Sequence, residues 1–162
     1  MYVPFDEMPK DARIWVYQAD RPFDEQEKTW IISKLVAFCN QWNTHGAQMP
    51  SSFDLKFDQF IILSVDESQL GASGCSIDSS VRIMREIEVK LNINLLDSGK
   101  VAYLEGENVR VAFLPDIKKH VVEGSLQSNS KMFNPSVSKI ADLNDQWLIE
   151  ANKSWLKKYF AN

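Results

Sequence analysis

The distribution of apolar residues predicts an α+β protein. The expected architecture is a mixed sheet of four or five strands with a β-α-β-like N-terminal half, a C-terminal hairpin and packed helices, including a long C-terminal one. Three observations carry this reading. Phe60-Ile61-Ile62-Leu63-Ser64-Val65 is a short, nearly unbroken apolar run, the mark of a strand covered on both faces. On either side of it, Ile31, Leu35, Phe38 and Trp42, and then Ile77, Val81, Met84, Ile87 and Leu91, recur at helical spacing. Finally, residues 100–104 and 109–113 alternate about Glu105-Gly106-Glu107-Asn108, a hairpin signal.

Taken in order, residues 1–12 hold two prolines and read as an irregular arm with Tyr2 and Phe5 packed down. Arg13 to Gln18 is rich in aromatic and β-branched residues and predicts the first strand. Asp24 and Glu27 have capping-box spacing ahead of a helix over about residues 25–42. Asn43-Thr44-His45-Gly46 ends that helix, with Gly46 suited to a left-handed position. Residues 47–55 read as a polar loop. The apolar strand follows, then the loop Ser68 to Ser76 and the second helix to Leu91. If that strand runs parallel to the first, the first half winds as a crossover unit. Pro115 opens a short helix ending near Gly124. Asn134-Pro135 predicts the start of the long last helix, with Ile140, Leu143, Trp147, Ala151, Trp155 and Tyr159 along one face.

Composition excludes several classes. A chain of 162 residues, 44% hydrophobic and 25% charged, suits one globular domain spanning residues 1–162. Its net charge of -4 argues against nucleic acid as the main partner, because phosphate binding needs a positive footprint. Cys39 and Cys75 are too few for a disulfide framework or a four-thiolate zinc site. No run reaches the ~18 apolar residues of a membrane span, and Met1 to Glu7 does not read as a secretory leader. A cytoplasmic location is the simplest expectation. Neither His45 nor His120 stands in a zinc-hydrolase spacing, so no metal and no cofactor is expected.

The chemistry concentrates in Gly71-Ala72-Ser73-Gly74-Cys75-Ser76-Ile77-Asp78-Ser79-Ser80. A glycine-containing loop that leads from a buried strand into a helix aims backbone amides at one point, where the helix dipole adds positive charge. Ser73, Gly74, Ser76, Ser79 and Ser80 are therefore candidate anion-binding residues, for a small anionic ligand. The same field lowers a cysteine toward its thiolate, which makes Cys75 a candidate nucleophile with His45 as base and Asp78 as orienter. A purely structural reading stands beside both: the glycines permit a turn, Ser73, Ser76 or Asp78 caps the helix, and Cys75 packs. Asp66-Glu67 after the apolar strand imitates the acidic strand end of an ATPase, but a phosphate loop needs G-x-x-x-x-G-K-[ST], and no lysine follows Gly71 or Gly74. A P-loop ATPase is excluded. Five tryptophans allow a third role, an interaction module, with Trp155 and Phe160 as candidates for a contact with a protein partner or in a homo-oligomer.

Trp15-Val16-Tyr17-Gln18-Ala19-Asp20-Arg21-Pro22-Phe23, the Trp42-Asn43-Thr44-His45-Gly46 helix end, Ser73 to Ser80 and Ser154-Trp155 resemble a functionally uncharacterised family of short bacterial proteins. Its members often carry the automatic label "ABC transporter ATPase". The resemblance spans nearly the whole chain and implies a single family domain. It draws attention to His45 and Cys75 and carries over no activity. The chain has no nucleotide-binding lysine loop and no Leu-Ser-Gly-Gly-Gln signature.

Overall fold

The computed structural model describes residues 1–160 and has the α+β class. It forms two compact units: Met1–Leu96 together with Ser138–Ala141, and Asp97–Val137 together with the chain from Asp142 on.

The first unit runs β1 (Arg13–Gln18), α1 (Glu25–Gln41), a small ribbon of β2 (Asn43–Thr44) and β3 (Ala47–Gln48), β4 (Ser51–Lys56), β5 (Phe60–Val65) and α2 (Gly74–Leu91). β5 is buried along its whole length, as its unbroken apolar run requires, and lies between β1 and β4, antiparallel to both. Ile61, Leu63 and Val65 share one core with Ile31, Leu35 and Cys39 of α1 and with Ile83, Met84 and Ile87 of α2. The opposite face of the strand carries Ser64, whose neighbour across β4 is Ser52. Both serines are buried, and their hydroxyls have no hydrogen-bond partner.

The expected parallel crossover is corrected here. Residues 51–56, all but the last from the predicted polar loop, form β4, and β4 turns straight back into β5. That extra strand reverses the chain, so β5 meets β1 antiparallel. The turn hid from sequence reading because its two left-handed residues are Phe57 (φ 55) and Asp58 (φ 53), not the Asn-Gly that such turns favour.

α1 begins as predicted. The Asp24 side chain accepts from the Glu27 amide, and the Glu27 carboxylate accepts from the Asp24 amide. Glu27 also receives both terminal nitrogens of Arg21, at 2.9 and 2.8 Å. Arg21 donates as well to the Leu91 carbonyl at 2.7 Å, tying the start of α1 to the end of α2. α2 stops at Asn92, which takes the left-handed conformation.

The second unit holds β6 (Lys100–Glu105), β7 (Asn108–Phe113), α3 (Ile117–Val122), β8 (Lys131–Phe133), α4 (Asp142–Asp145) and β9 (Leu148–Glu150). The strands form an antiparallel sheet in the order β7-β6-β8-β9, which includes the predicted hairpin. Val101, Tyr103, Ala112, Ile117, Met132 and Leu156 lie in its core. The buried Tyr103 hydroxyl sits 2.7 Å from His120 Nδ1 and 2.8 Å from Ser125 Oγ.

The long C-terminal helix does not form. Asn134-Pro135 starts no helix, α4 is a single turn, and 3-10 turns at Ala151–Lys153 and Trp155–Tyr159 follow β9. Polar residues compete for the backbone along this stretch. Ser154 donates to the Ala151 carbonyl at 2.6 Å and accepts from the Leu156 amide at 3.1 Å, which caps a new turn where a helix would have to continue. Trp147 is buried as expected, packed edge-on against Phe133. Trp155 is 44% exposed.

The Arg21 hydrogen bonds, with the Asp24 amide, hold the Glu27 carboxyl down at about 2, below its ordinary 4.5. Its folded-state value is depressed, so its contribution is complete above pH 4.5 and fades as the pH falls toward 2. Glu27→Gln should therefore destabilise by about 1 kcal/mol at neutral pH, a figure kept small because Arg21 is solvent-accessible. Urea denaturation should show the gap between wild type and variant closing across that acid window and nowhere else.

Candidate functional site

α1 and α2 bring two of their ends together. At the close of α1, Trp42 leaves the helix in an extended conformation. The β2-β3 ribbon then turns at His45 (φ 49) and Gly46 (φ 81), placing the imidazole just past the helix end. At the opening of α2, Ser73 is the N-cap, and its side chain accepts from the Ser76 amide at 3.2 Å. The two ends are fastened by the Trp42 indole N–H, which donates to the Ser76 carbonyl at 2.8 Å in a buried position.

Between them lies a cleft of about 250 Å³. Its polar wall is Ser73, Cys75, Ser76, Ser79, Asn43 and His45, and its apolar wall is the aromatic pair Phe38 and Trp42, with ring centroids 5.0 Å apart. Gln41 completes the lining. The structure thus places His45 and Cys75 on one cavity. It does not bring Asp78 there: that side chain is exposed on α2 and lines no part of the cleft. Gly74 and Ser80 are also absent from the lining, and Ser80 is fully buried.

The serine protons point inward. Ser76 Oγ donates to the Ser73 carbonyl at 2.8 Å, Ser79 Oγ to the Cys75 carbonyl at 3.0 Å and Ser80 Oγ to the Ile77 carbonyl at 2.6 Å. The hydroxyl protons therefore serve the helix. The first two amides of α2, those of Gly74 and Cys75, take no partner among the described residues. An incoming acceptor would meet the Cys75 amide at the positive end of an eighteen-residue helix.

The two cysteines occupy opposite surroundings. Cys39 is buried in the core, and burial pushes its thiol up to about 11. Cys75 is exposed and unpaired. Asp66 and Glu67, the acidic strand end, are engaged in their own loop: Asp66 accepts from the Ser68 amide, and Glu67 accepts from the Ala72 amide and lies 3.6 Å from Arg13. His120 belongs to the Tyr103 cluster of the second unit and not to the cleft. Among the described residues no group of three or more histidines, cysteines or acids is placed to hold a metal ion, and no helix is long and apolar enough to cross a membrane.

Comparison with protein-family models, curated proteins and solved structures finds no match. The ATPase label carried by the family that the sequence resembles is unsupported.

Sequence reasoning missed Asn43, Gln41 and the aromatic wall. Phe38 and Trp42 fall on the core stripe of α1, and that spacing marks burial, not a lining role. The available signal was their position one turn (Trp42) and two turns (Phe38) before His45. Trp42→Phe should keep the packing but lose one buried hydrogen bond, costing about 0.5–1.5 kcal/mol, since the Ser76 carbonyl keeps its place in the α2 ladder. Urea denaturation measures that cost, and amide exchange in the first turn of α2 should speed up while the core of β5 keeps its protection.

Proposed function

We propose that the chain is a small binding module that takes an anionic group, such as a carboxylate or phosphate on a metabolite or partner protein, in the cleft at the start of α2. The single observation that supports this best is the coincidence of an open cleft, a free helix-end amide at Cys75 and the His45 side chain at one place. The helix dipole favours negative charge there, and the apolar wall of Phe38 and Trp42 suits the uncharged remainder of a small ligand. No lysine or arginine lines the cleft among the described residues. A singly charged carboxylate therefore fits better than a multiply charged phosphate, whose extra charge would go unanswered.

A second reading, a thiol enzyme with Cys75 as nucleophile and His45 as base, draws on the shared cavity alone. It lacks an orienting acid, because Asp78 stands outside the cleft.

Thermal unfolding with a panel of acetate, short carboxylic acids and inorganic phosphate tests the binding reading. Saturating carboxylate at a hundred times its dissociation constant should stabilise by about 2.7 kcal/mol. His45→Ala and Cys75→Val should reduce that shift, whereas Ser80→Ala should lower stability without touching it. A panel with no effect in wild type defeats the reading. Alkylation of the native protein, with the modified site read by mass spectrometry, tests the other. Cys75 alone should react, and a midpoint well below about 8.5 that rises in His45→Gln would support catalysis. A midpoint at the free-thiol value would leave binding without nucleophilic chemistry.

A further inference from the structure

The chain has five arginines, and three of them are ion-paired: Arg13 with Glu67, Arg21 with Glu27 and Arg110 with Glu105. The other two, Arg82 and Arg85, make no ion pair and no hydrogen bond among the described residues. They stand one turn apart on the exposed side of α2. Lys90, equally unpaired, follows on the same side.

The carboxylates of α2 do not answer these charges. Glu86 is spent on Lys34 of α1, 2.9 Å away. Glu88 accepts from the Leu95 and Leu96 amides at 2.7 and 2.8 Å. Asp78, one turn before Arg82, is left as a counter-charge. Three cations therefore face one carboxylate, in a chain whose net charge is -4. Val89 stands among the cations and is 80% exposed. With the methylene stems of Arg82, Arg85, Glu86 and Lys90 it lines a shallow hollow of about 390 Å³, apolar at its floor and cationic at its rim.

We propose that this face of α2 docks an acidic segment of a partner protein, one in which carboxylates flank an apolar residue. The Arg82 and Arg85 guanidiniums are planar forks that match carboxylates with two parallel hydrogen bonds each. The apolar residue covers Val89 and the side-chain stems, and its contact excludes water from the ion pairs around it. A nucleic-acid backbone would bring phosphates but nothing apolar for Val89, and the net negative charge of the chain opposes a polyanion beyond the patch. A bilayer takes a broad apolar face, and here a single valine is offered.

The probe is a capped glutamate-glutamate-leucine-glutamate-glutamate peptide, titrated into the isotope-labelled protein at low salt. The expected result is saturable movement of the Arg85, Val89 and Lys90 amide resonances and of the Arg82 and Arg85 side-chain Nε resonances. Binding should weaken about threefold or more on going to 0.3 M salt. A peptide with glutamine in place of glutamate should bind about tenfold or more weakly. Val89→Ser should weaken the acidic peptide, and Arg82→Glu combined with Arg85→Glu should reject it and accept the lysine-lysine-leucine-lysine-lysine peptide instead. These side chains are exposed, and circular dichroism confirms that the variants are folded. Equal binding of the glutamine peptide, or no movement up to about 5 mM, overturns the proposal. Movement confined to Ser73–Ser76 overturns it too, since the peptide would then occupy the cleft at the start of α2 and leave that separate reading standing. Tighter binding of an oligouridylate of equal charge would make the occupant a nucleic acid, and concentration-dependent broadening at Arg85–Lys90 without peptide would make it a second copy of the chain. Either result overturns the proposal.

Discussion

Six consecutive buried residues, Phe60 to Val65, carry backbone groups that water cannot reach, and each must find a partner inside the protein. That requirement places β1 on one side of the strand and β4 on the other. It explains why Ser51 to Lys56 is extended despite its polar character, because an unpaired flank in a dry interior would cost more than weak strand propensity does. The two helices follow from the same strand, since Ile61, Leu63 and Val65 need an apolar cover and the stripes of α1 and α2 provide it.

The cleft is a by-product of that arrangement. Two helices laid on one sheet face bring the end of one beside the start of the other, and Trp42 fixes the meeting with a single buried hydrogen bond. The two cysteines stand in different surroundings. Burial raises the Cys39 thiol, while Cys75 stands in solvent at the positive end of a helix. The two residues are identical in chemistry, and their positions relative to the stripe of α1 and the first turn of α2 set them apart.

Much of this was legible in the sequence. The capping box at Asp24, the buried strand, both long helices, the hairpin and the left-handed Gly46 all rest on local chemistry that acts the same way in any context. What escaped depended on distant partners. β4 forms because β5 needs a neighbour, and Phe57 and Asp58 accept left-handed geometry to make the return. The C-terminal apolar stripe has helical spacing, yet Ser154 and the strand partners of Leu148 to Glu150 outbid it. At the site, the places of Cys75 and His45 beside helix ends were readable from the sequence. The exclusion of Asp78, and the diversion of the serine protons to helix carbonyls, depend on three-dimensional direction, which one-dimensional spacing does not encode.

The paired serines inside the sheet carry a consequence of their own. β5 is apolar on both faces, so hydrophobic patterning gives it no preference for one alignment over another shifted by two. Ser64 is its sole polar side chain, and it stands opposite Ser52. The two hydroxyls lie opposite each other in the dry sheet with no hydrogen bond, so each forgoes the bond it would make to water. Alignment of β5 therefore rests on the tight return at Phe57 and Asp58, whose length admits one pairing with β4.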